Sequence, residues 1–186
     1  MNTHHYSEDV QLWKRLLGDD QKALSDLFQK YYRSLLNYGL KLIPQEELVK
    51  DSIQELFYSM WEQRDNLSGV EYVRSYLYIS LKRTIYRQNE IQQTRNKREH
   101  SYSEEFFKHA VNKEKLMIRE EFKHEQKQKL KKGLATLNSR EKEVIFLKFY
   151  SGLSNAEIAR IMEVNRQSVY NYMYRALQAL KEFLEL

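Results

Sequence analysis

Apolar residues return along this chain at steps of three and four, the spacing that lays one stripe on an α-helix, and they rarely alternate as a half-buried strand requires. Residues 1–7, with His4 and His5, carry no period and are expected to fray. Val10, Trp13, Leu16 and Leu17 then make a short stripe that stops at Gly18, where Asp19 and Asp20 offer caps for the next helix. Leu24, Phe28, Tyr31, Leu35, Tyr38 and Leu42 predict one long helix with all six on a single stripe, ended by Pro44. The following segment, EELVKDSIQELFYSMWEQR, turns Val49, Ile53, Leu56, Phe57, Met60 and Trp61 inward. It leaves Asp51, Gln54, Glu55 and Tyr58 at the border or outside. After a loop at residues 65–69, Val73, Leu77, Leu81 and Ile85 share one face of a fourth helix. From residue 92 to residue 115 the period is lost in polar text of mixed charge, broken by Phe106 and Phe107, which predicts a linker. Periodicity resumes at Leu116, Ile118 and Phe122 and runs through Leu130, Leu134 and Leu137.

The last fifty residues carry the densest local grammar. Asn138 and Glu141 form an N-x-x-E cap for a helix that buries Val144, Leu147 and part of Tyr150, and Gly152 stands where a left-handed residue is wanted. Ser154 and Glu157 then form a capping box, so that a helix starts at Asn155 with Ile158, Ala159, Met162 and Val164 on its apolar face. Asn165 caps a second helix after a turn short enough only for a tight corner. This order of box, corner and periodic helix is that of a helix-turn-helix. In the second helix Val169, Met173, Ala176 and Leu180 face inward, which leaves Arg166, Gln167, Tyr170, Asn171, Tyr174 and Arg175 outside. Arginine and amide side chains in such a row can donate and accept at base edges in a major groove, and the arginines can also bind phosphate.

Composition narrows the class. The 186 residues include one proline, five glycines and no cysteine, with 41% apolar and 31% charged residues. These values favour an all-α protein of two small helical domains and exclude disulfides and thiolate metal sites. No apolar run approaches the ~20 residues of a membrane span, and no secretion signal opens the chain, so a cytoplasmic protein is expected. The net charge of +5 is unevenly spread. Residues 44–65 hold Glu46, Glu47, Asp51, Glu55, Glu62 and Asp65 against Lys50 and Arg64, whereas residues 70–98 hold Arg74, Lys82, Arg83, Arg87, Arg95, Lys97 and Arg98 against Glu71 and Glu90. An acidic face for a protein partner beside a basic face for nucleic acid is one reading, and a pair of solvated helix faces is the other. Tyr72, Tyr76, Tyr78 and Tyr86 among these cations suit stacking of unpaired bases, and equally suit helix packing. There is no glycine-rich phosphate loop, paired-carboxylate set or histidine cluster, so no catalytic residue, metal or cofactor is expected.

The run GLATLNSREKEVIFLKFYSGLSNAEIARIMEVNRQSVYNYMYRALQALKEFL resembles region 4 of bacterial sigma factors of the extracytoplasmic-function type. DLFQKYYRSLLNYG, VKDSIQELFYSMW and VRSYLYISLKR, in that order, resemble region 2 of the same family. The likeness covers nearly all of residues 8–186 and implies region 2 at 8–92, a linker at 93–118 and region 4 at 119–186. It implies a factor that gives core RNA polymerase its promoter specificity, with promoter DNA and an anti-sigma factor as further partners. Matched residue by residue, Asp51, Gln54, Glu55 and Phe57 fall in the segment that docks on the polymerase beta-prime clamp helices. The loop at 65–69 and the helix with Tyr72, Arg74, Tyr76, Lys82, Arg83 and Arg87 correspond to the part that captures and melts the minus-10 element. Arg166, Gln167, Tyr170, Asn171, Tyr174 and Arg175 correspond to the reader of the minus-35 duplex. Where relatives often have Leu-Pro before region 4, this chain has Leu137 and Asn138, exchanging a rigid corner for a side-chain cap. The rival reading is a conventional helix-turn-helix regulator whose residues 1–115 dimerise or bind a ligand, and the acidic and Tyr-rich basic helices argue against it.

Overall fold

Among the described residues, 3–96 and 122–184 of the computed structural model, the chain forms α-helices and no strand. It divides into two compact units, Met1–Glu104 and Glu105–Leu186. The first holds α1 (Thr3–Leu17), α2 (Gln21–Leu42), α3 (Glu46–Glu62) and α4 (Val73–Asn96). The second holds α5 (Phe122–Thr136), α6 (Ser139–Ile145), α7 (Asn155–Ile161) and α8 (Arg166–Leu184). The expected linker and the aromatics Phe106 and Phe107 lie mostly outside the described residues, as do Lys97, Arg98, Leu116 and Ile118.

The helix α1 begins at Thr3 and so includes most of the segment expected to fray. No glycine or proline stands there to stop the turns that the apolar stripe propagates backwards. Trp13 and Leu16 are buried, and the turn after Leu17 places Asp19, not Gly18, at positive φ, a conformation that aspartate tolerates. Asp20 caps α2 by accepting from the amides of Lys22 and Ala23 at 2.9 and 3.2 Å. A hydrogen bond from Arg15 is the foremost cause that holds its carboxyl below the usual range.

The stripe of α2 is rotated in its first turns from the expected one. Ala23 and Leu27 are buried there, whereas Leu24 and Phe28 sit half-buried at the border. Small Ala23 carries little signal in a hydrophobic pattern, yet it is fully enclosed in the half of α2 nearest the α1 turn. Further along, Tyr31, Leu35, Tyr38 and Leu42 are buried as expected. α2, α3 and α4 pack pairwise, and Gly39 lies where they converge. A Cβ on Gly39 would come 2.3 Å from Val49 Cγ1 and 3.0 Å from Ile85 Cδ1.

Val49 is β-branched and fully buried, so it has little room to turn aside. Gly39→Ala is therefore expected to destabilise the first unit by about 1–2 kcal/mol, an overpacking cost that exceeds alanine's helix preference of about 1 kcal/mol. Trp13 and Trp61, the chain's two tryptophans, both report on this unit. A denaturation midpoint by their fluorescence that stays level or rises would show that the helices can spread.

In the second unit the local grammar is realised. Asn138 accepts from the Glu141 amide at 3.0 Å while Glu141 Oε2 accepts from the Asn138 amide at 3.1 Å. Ser154 and Glu157 make the same reciprocal pair, with the Ser154 amide donating to Glu157 Oε2 at 2.8 Å. Gly152 takes the left-handed conformation at φ +63°. Asn165 accepts from the Ser168 amide at 2.7 Å and starts α8. Val169, Ala176 and Leu180 of α8 are buried, with Met173 half-buried, and Leu137, Ala176 and Leu180 form one cluster with Leu134, Ile145 and Ala179 packed against it.

Two side chains depart from expectation, Leu130 at 39% exposure and Tyr150 at 59%. α6 passes into a π-helical turn, Phe146–Tyr150, whose wider winding keeps Leu147 inside and carries Phe149 and Tyr150 to the surface. The Tyr150 ring stacks there on Phe146 with centroids 4.8 Å apart.

Candidate functional site

The exposed side of α8 is the most regular candidate surface. Arg166, Gln167, Tyr170, Asn171, Tyr174 and Arg175 are all exposed, as the inward position of Val169, Ala176 and Leu180 requires. Arg166 opens the helix, directly after the Asn165 cap, where free amides favour an anionic neighbour. Gln167 Nε2 donates to Asn171 Oδ1 at 3.1 Å across one turn. A shallow depression of about 570 Å³ adjoins this end, lined by Arg160, Asn165 and Arg166 among others. Arg160, exposed on α7, thus lies near the start of α8 although the sequence pattern did not single it out. The surface offers cations at both ends, amides between them and two open phenol rings.

In the first unit, α3 presents Asp51, Gln54 and Tyr58 outward at helical spacing. Tyr58 is 67% exposed, an aromatic left open in the middle of a polar face. Lys50 bridges Glu46 and Glu47 at 2.9 and 3.0 Å, and the hydrogen bonds it donates to these two carboxylates raise its pKa. Glu55 is engaged with α4, for Arg87 donates to its Oε1 and Gln88 Nε2 to its Oε2 at 2.6 Å. Ser52, fully buried, adjoins the network with its Oγ 2.8 Å from Gln88 Oε1. Asp51 is exposed and has no ion pair among the described residues, so its carboxylate is open to an outside cation. Phe57 corrects the expectation of direct docking. It is 4% exposed and packs edge-on against Phe28 at 5.1 Å, so it supports the face from beneath.

Tyr72, the residue before α4, and Tyr76, Arg83 and Arg87 on it follow at steps of four, seven and four and fall on one side. Arg83 and Arg87 are exposed, and Tyr72 and Tyr76 half-buried. Lys82 is half-buried at the flank, and Arg74, also half-buried, falls towards the packed side, away from that row. Tyr78 does not belong to the surface, being 1% exposed with its ring 4.9 Å from that of Tyr38. The Tyr76 ring meets the edge of Trp13 at 4.8 Å, and Trp13 Nε1 donates to the Ser68 carbonyl at 3.1 Å. The loop at 65–69 is thereby tied to α1. Its base is held by Arg64, which pairs with Asp19, donates to the Trp61 carbonyl at 2.7 Å and covers the Trp61 ring at 4.4 Å. The pairing with Asp19 is the main cause that raises the Arg64 pKa. The Trp13–Ser68, Trp13–Tyr76 and Asp19–Arg64 anchors join distant residues and are not visible as a local spacing.

Comparison with known proteins finds two family profiles. Sigma-70 region 2 matches residues 27–95, and Sigma-70, region 4 matches residues 127–180. No curated protein matches the chain by sequence. Among solved structures, CnrH in complex with the cytosolic domain of CnrY shares the fold at a TM-score of 0.62 and 17% identity, over 95% of this chain and 97% of that one. The sigma factor RpoE from Bartonella quintana, in complex with the anti-sigma factor NepR, gives a TM-score of 0.61 and 19% identity, over 87% and 98% of the two chains. No described helix is long and apolar enough to cross a membrane.

Proposed function

Because this chain belongs to the sigma-70 family, as an extracytoplasmic-function sigma factor that directs promoter recognition, we propose that its two units divide that work by surface. The observation that carries the proposal is the exposed α8 face, which a capped corner presents as a helix-turn-helix presents its reading helix. In this reading residues 119–186 bind the minus-35 duplex through Arg166, Gln167, Tyr170, Asn171, Tyr174 and Arg175. Residues 8–92 carry two surfaces. Asp51, Gln54 and Glu55 dock on the beta-prime clamp helices of core RNA polymerase, Tyr58 serves as their aromatic anchor, and Phe57 acts through packing. Tyr72, Tyr76, Arg83 and Arg87, flanked by Lys82, meet the minus-10 strand, with rings for bases and cations for phosphates. Arg74 serves the same strand from the packed edge of α4. An anti-sigma protein is a further partner, as NepR is for RpoE. The factor works in the cytoplasm, where polymerase and promoter meet, and carries no reaction of its own.

Run-off transcription with purified core polymerase tests the whole reading, since a conventional regulator cannot restore initiation to core enzyme alone. A finer test addresses α4. Tyr72→Ala and Arg83→Ala are expected to slow opening of a duplex promoter on the order of tenfold while binding to a premelted template falls less. Equal losses on the two templates would make both residues structural.

A further inference from the structure

The two amide side chains on the reading face of α8 are joined to each other. Gln167 Nε2 donates to Asn171 Oδ1 at 3.1 Å, and both residues are exposed. A spacing of i and i+4 is the one at which helix side chains meet. A primary amide has two N–H donors and an oxygen with two lone pairs. The bond therefore uses one donor of Gln167 and one lone pair of Asn171, and fixes which side of the Asn171 amide carries oxygen. Asn171 keeps both Nδ2 hydrogens and its second Oδ1 lone pair.

We infer that Gln167 and Asn171 form a single base reader, in which Gln167 is the positioning residue and Asn171 presents an acceptor and a donor side by side to an adenine in the major groove. Adenine offers its N6 amino group as donor and N7 as acceptor, which matches that pair. Guanine shows two acceptors there, so the fixed Oδ1 would face O6 or N7 without a proton between them. Thymine offers one acceptor beside a methyl group and cytosine one donor, and neither satisfies both amide atoms. Arg166 and Arg175 lie on either side of this pair along the exposed face and suit the phosphate backbone, so base choice falls to the amides between them.

The inference rests on the reading that α8 enters the upstream duplex, and it differs from two amides acting separately. Separate readers would govern different base pairs, and their losses would multiply in the double variant. A joined reader governs one base pair, and the loss of Asn171 already includes that of Gln167. The charge and donor capacity at position 167 separate the two further. Glutamate is nearly the size of glutamine but has no proton to donate, whereas lysine can donate to Oδ1.

The test uses the full-length chain with core polymerase, bound to promoter duplexes in which each upstream base pair is varied singly. The unaltered chain is expected to prefer A at one position by about tenfold. Asn171→Ala should abolish that preference. Gln167→Ala and Gln167→Glu should cut it severalfold at the same position, Gln167→Lys should keep most of it, and the Gln167→Ala/Asn171→Ala pair should be no worse than Asn171→Ala alone. Losses at two different base pairs that multiply in the double variant overturn the pairing while leaving α8 as the reader. Upstream preferences that no α8 substitution changes, Arg166→Ala included, overturn the pairing together with the placement of α8 in the groove.

Discussion

Lys30→Met is expected to destabilise the first unit by about 2–4 kcal/mol, because it leaves a buried carboxylate without its cation. Asp9 is 3% exposed where α1 packs on α2. Its Oδ2 accepts from the Tyr31 hydroxyl, and Lys30 Nζ lies 2.8 Å from Oδ1 in an ion pair whose geometry falls short of a hydrogen bond. Lys30 also donates to Glu8 at 2.6 Å. The expected cost is below that of a fully enclosed pair because the Lys30 side chain keeps 25% of its surface in water.

Burial pulls the Lys30 pKa down, but the close contacts with Asp9 and Glu8 and the charges of these carboxylates outweigh burial and raise it. A group raised on folding contributes in full below its unfolded value of 10.5 and loses that contribution only as pH climbs through the higher folded value. On the alkaline side the clasp therefore holds its full contribution through neutral pH and weakens in strong alkali. Adding Asp9→Asn to Lys30→Met should recover most of the stability, since a neutral amide can still accept from Tyr31. Thermal unfolding of the two variants beside the unaltered chain checks this, and a double variant no better than Lys30→Met would place the cost in lost lysine packing instead.

The clasp also shows which features the sequence could carry. The capping boxes at Asn138 and Ser154 were legible because a box is local, with both partners within four residues and a side-chain chemistry that few other positions share. The inward row of α8 was legible because apolar spacing and burial agree. The exchange of Leu-Pro for Leu137 and Asn138 could be assigned to a cap for the same reason. Other errors have a common source. Tyr78 sits on the same helix as surface residues, and a residue type that suits both core and surface says nothing about which neighbour covers it, whereas the spacing of Phe57 placed it inward as found and only its implied docking role set it at the surface. The π-helical turn at 146–150 shifts the periodicity itself, so no count at steps of three and four could place Tyr150. Asp19 and Glu163 take positive φ without being glycine, because the turns around them are set by backbone bonds to the preceding helices. The contacts Asp9–Lys30, Trp13–Ser68 and Glu55–Arg87 join separate elements, and spacing along one helix cannot see them.

The Glu55–Arg87 contact decides how the docking surface should be tested. Asp51→Lys with Glu55→Lys is expected to weaken binding to core polymerase on the order of a hundredfold at low salt, because a docking face that meets a basic partner would then repel it. The loss should shrink as salt rises, since both positions are at least partly open to water. Glu55, however, also holds Arg87 and Gln88, so the reversal sets a lysine against Arg87 within the first unit. Arg87→Gln separates the effects. It breaks the same ion pair while keeping the acidic face, and it should leave core affinity unchanged or slightly improved, because the Glu55 charge is then no longer offset by Arg87, with only Gln88 still donating to it. Asp51→Lys alone should retain a large part of the double variant's loss, as Asp51 has no ion pair to give up. Equilibrium binding of labelled full-length protein to core polymerase at two salt concentrations measures all three against the unaltered chain. If the double reversal binds like the unaltered chain near physiological salt, α3 is not the docking face. If Arg87→Gln loses as much as the double reversal, what docking needs is the intact α3–α4 network and not the charge it displays.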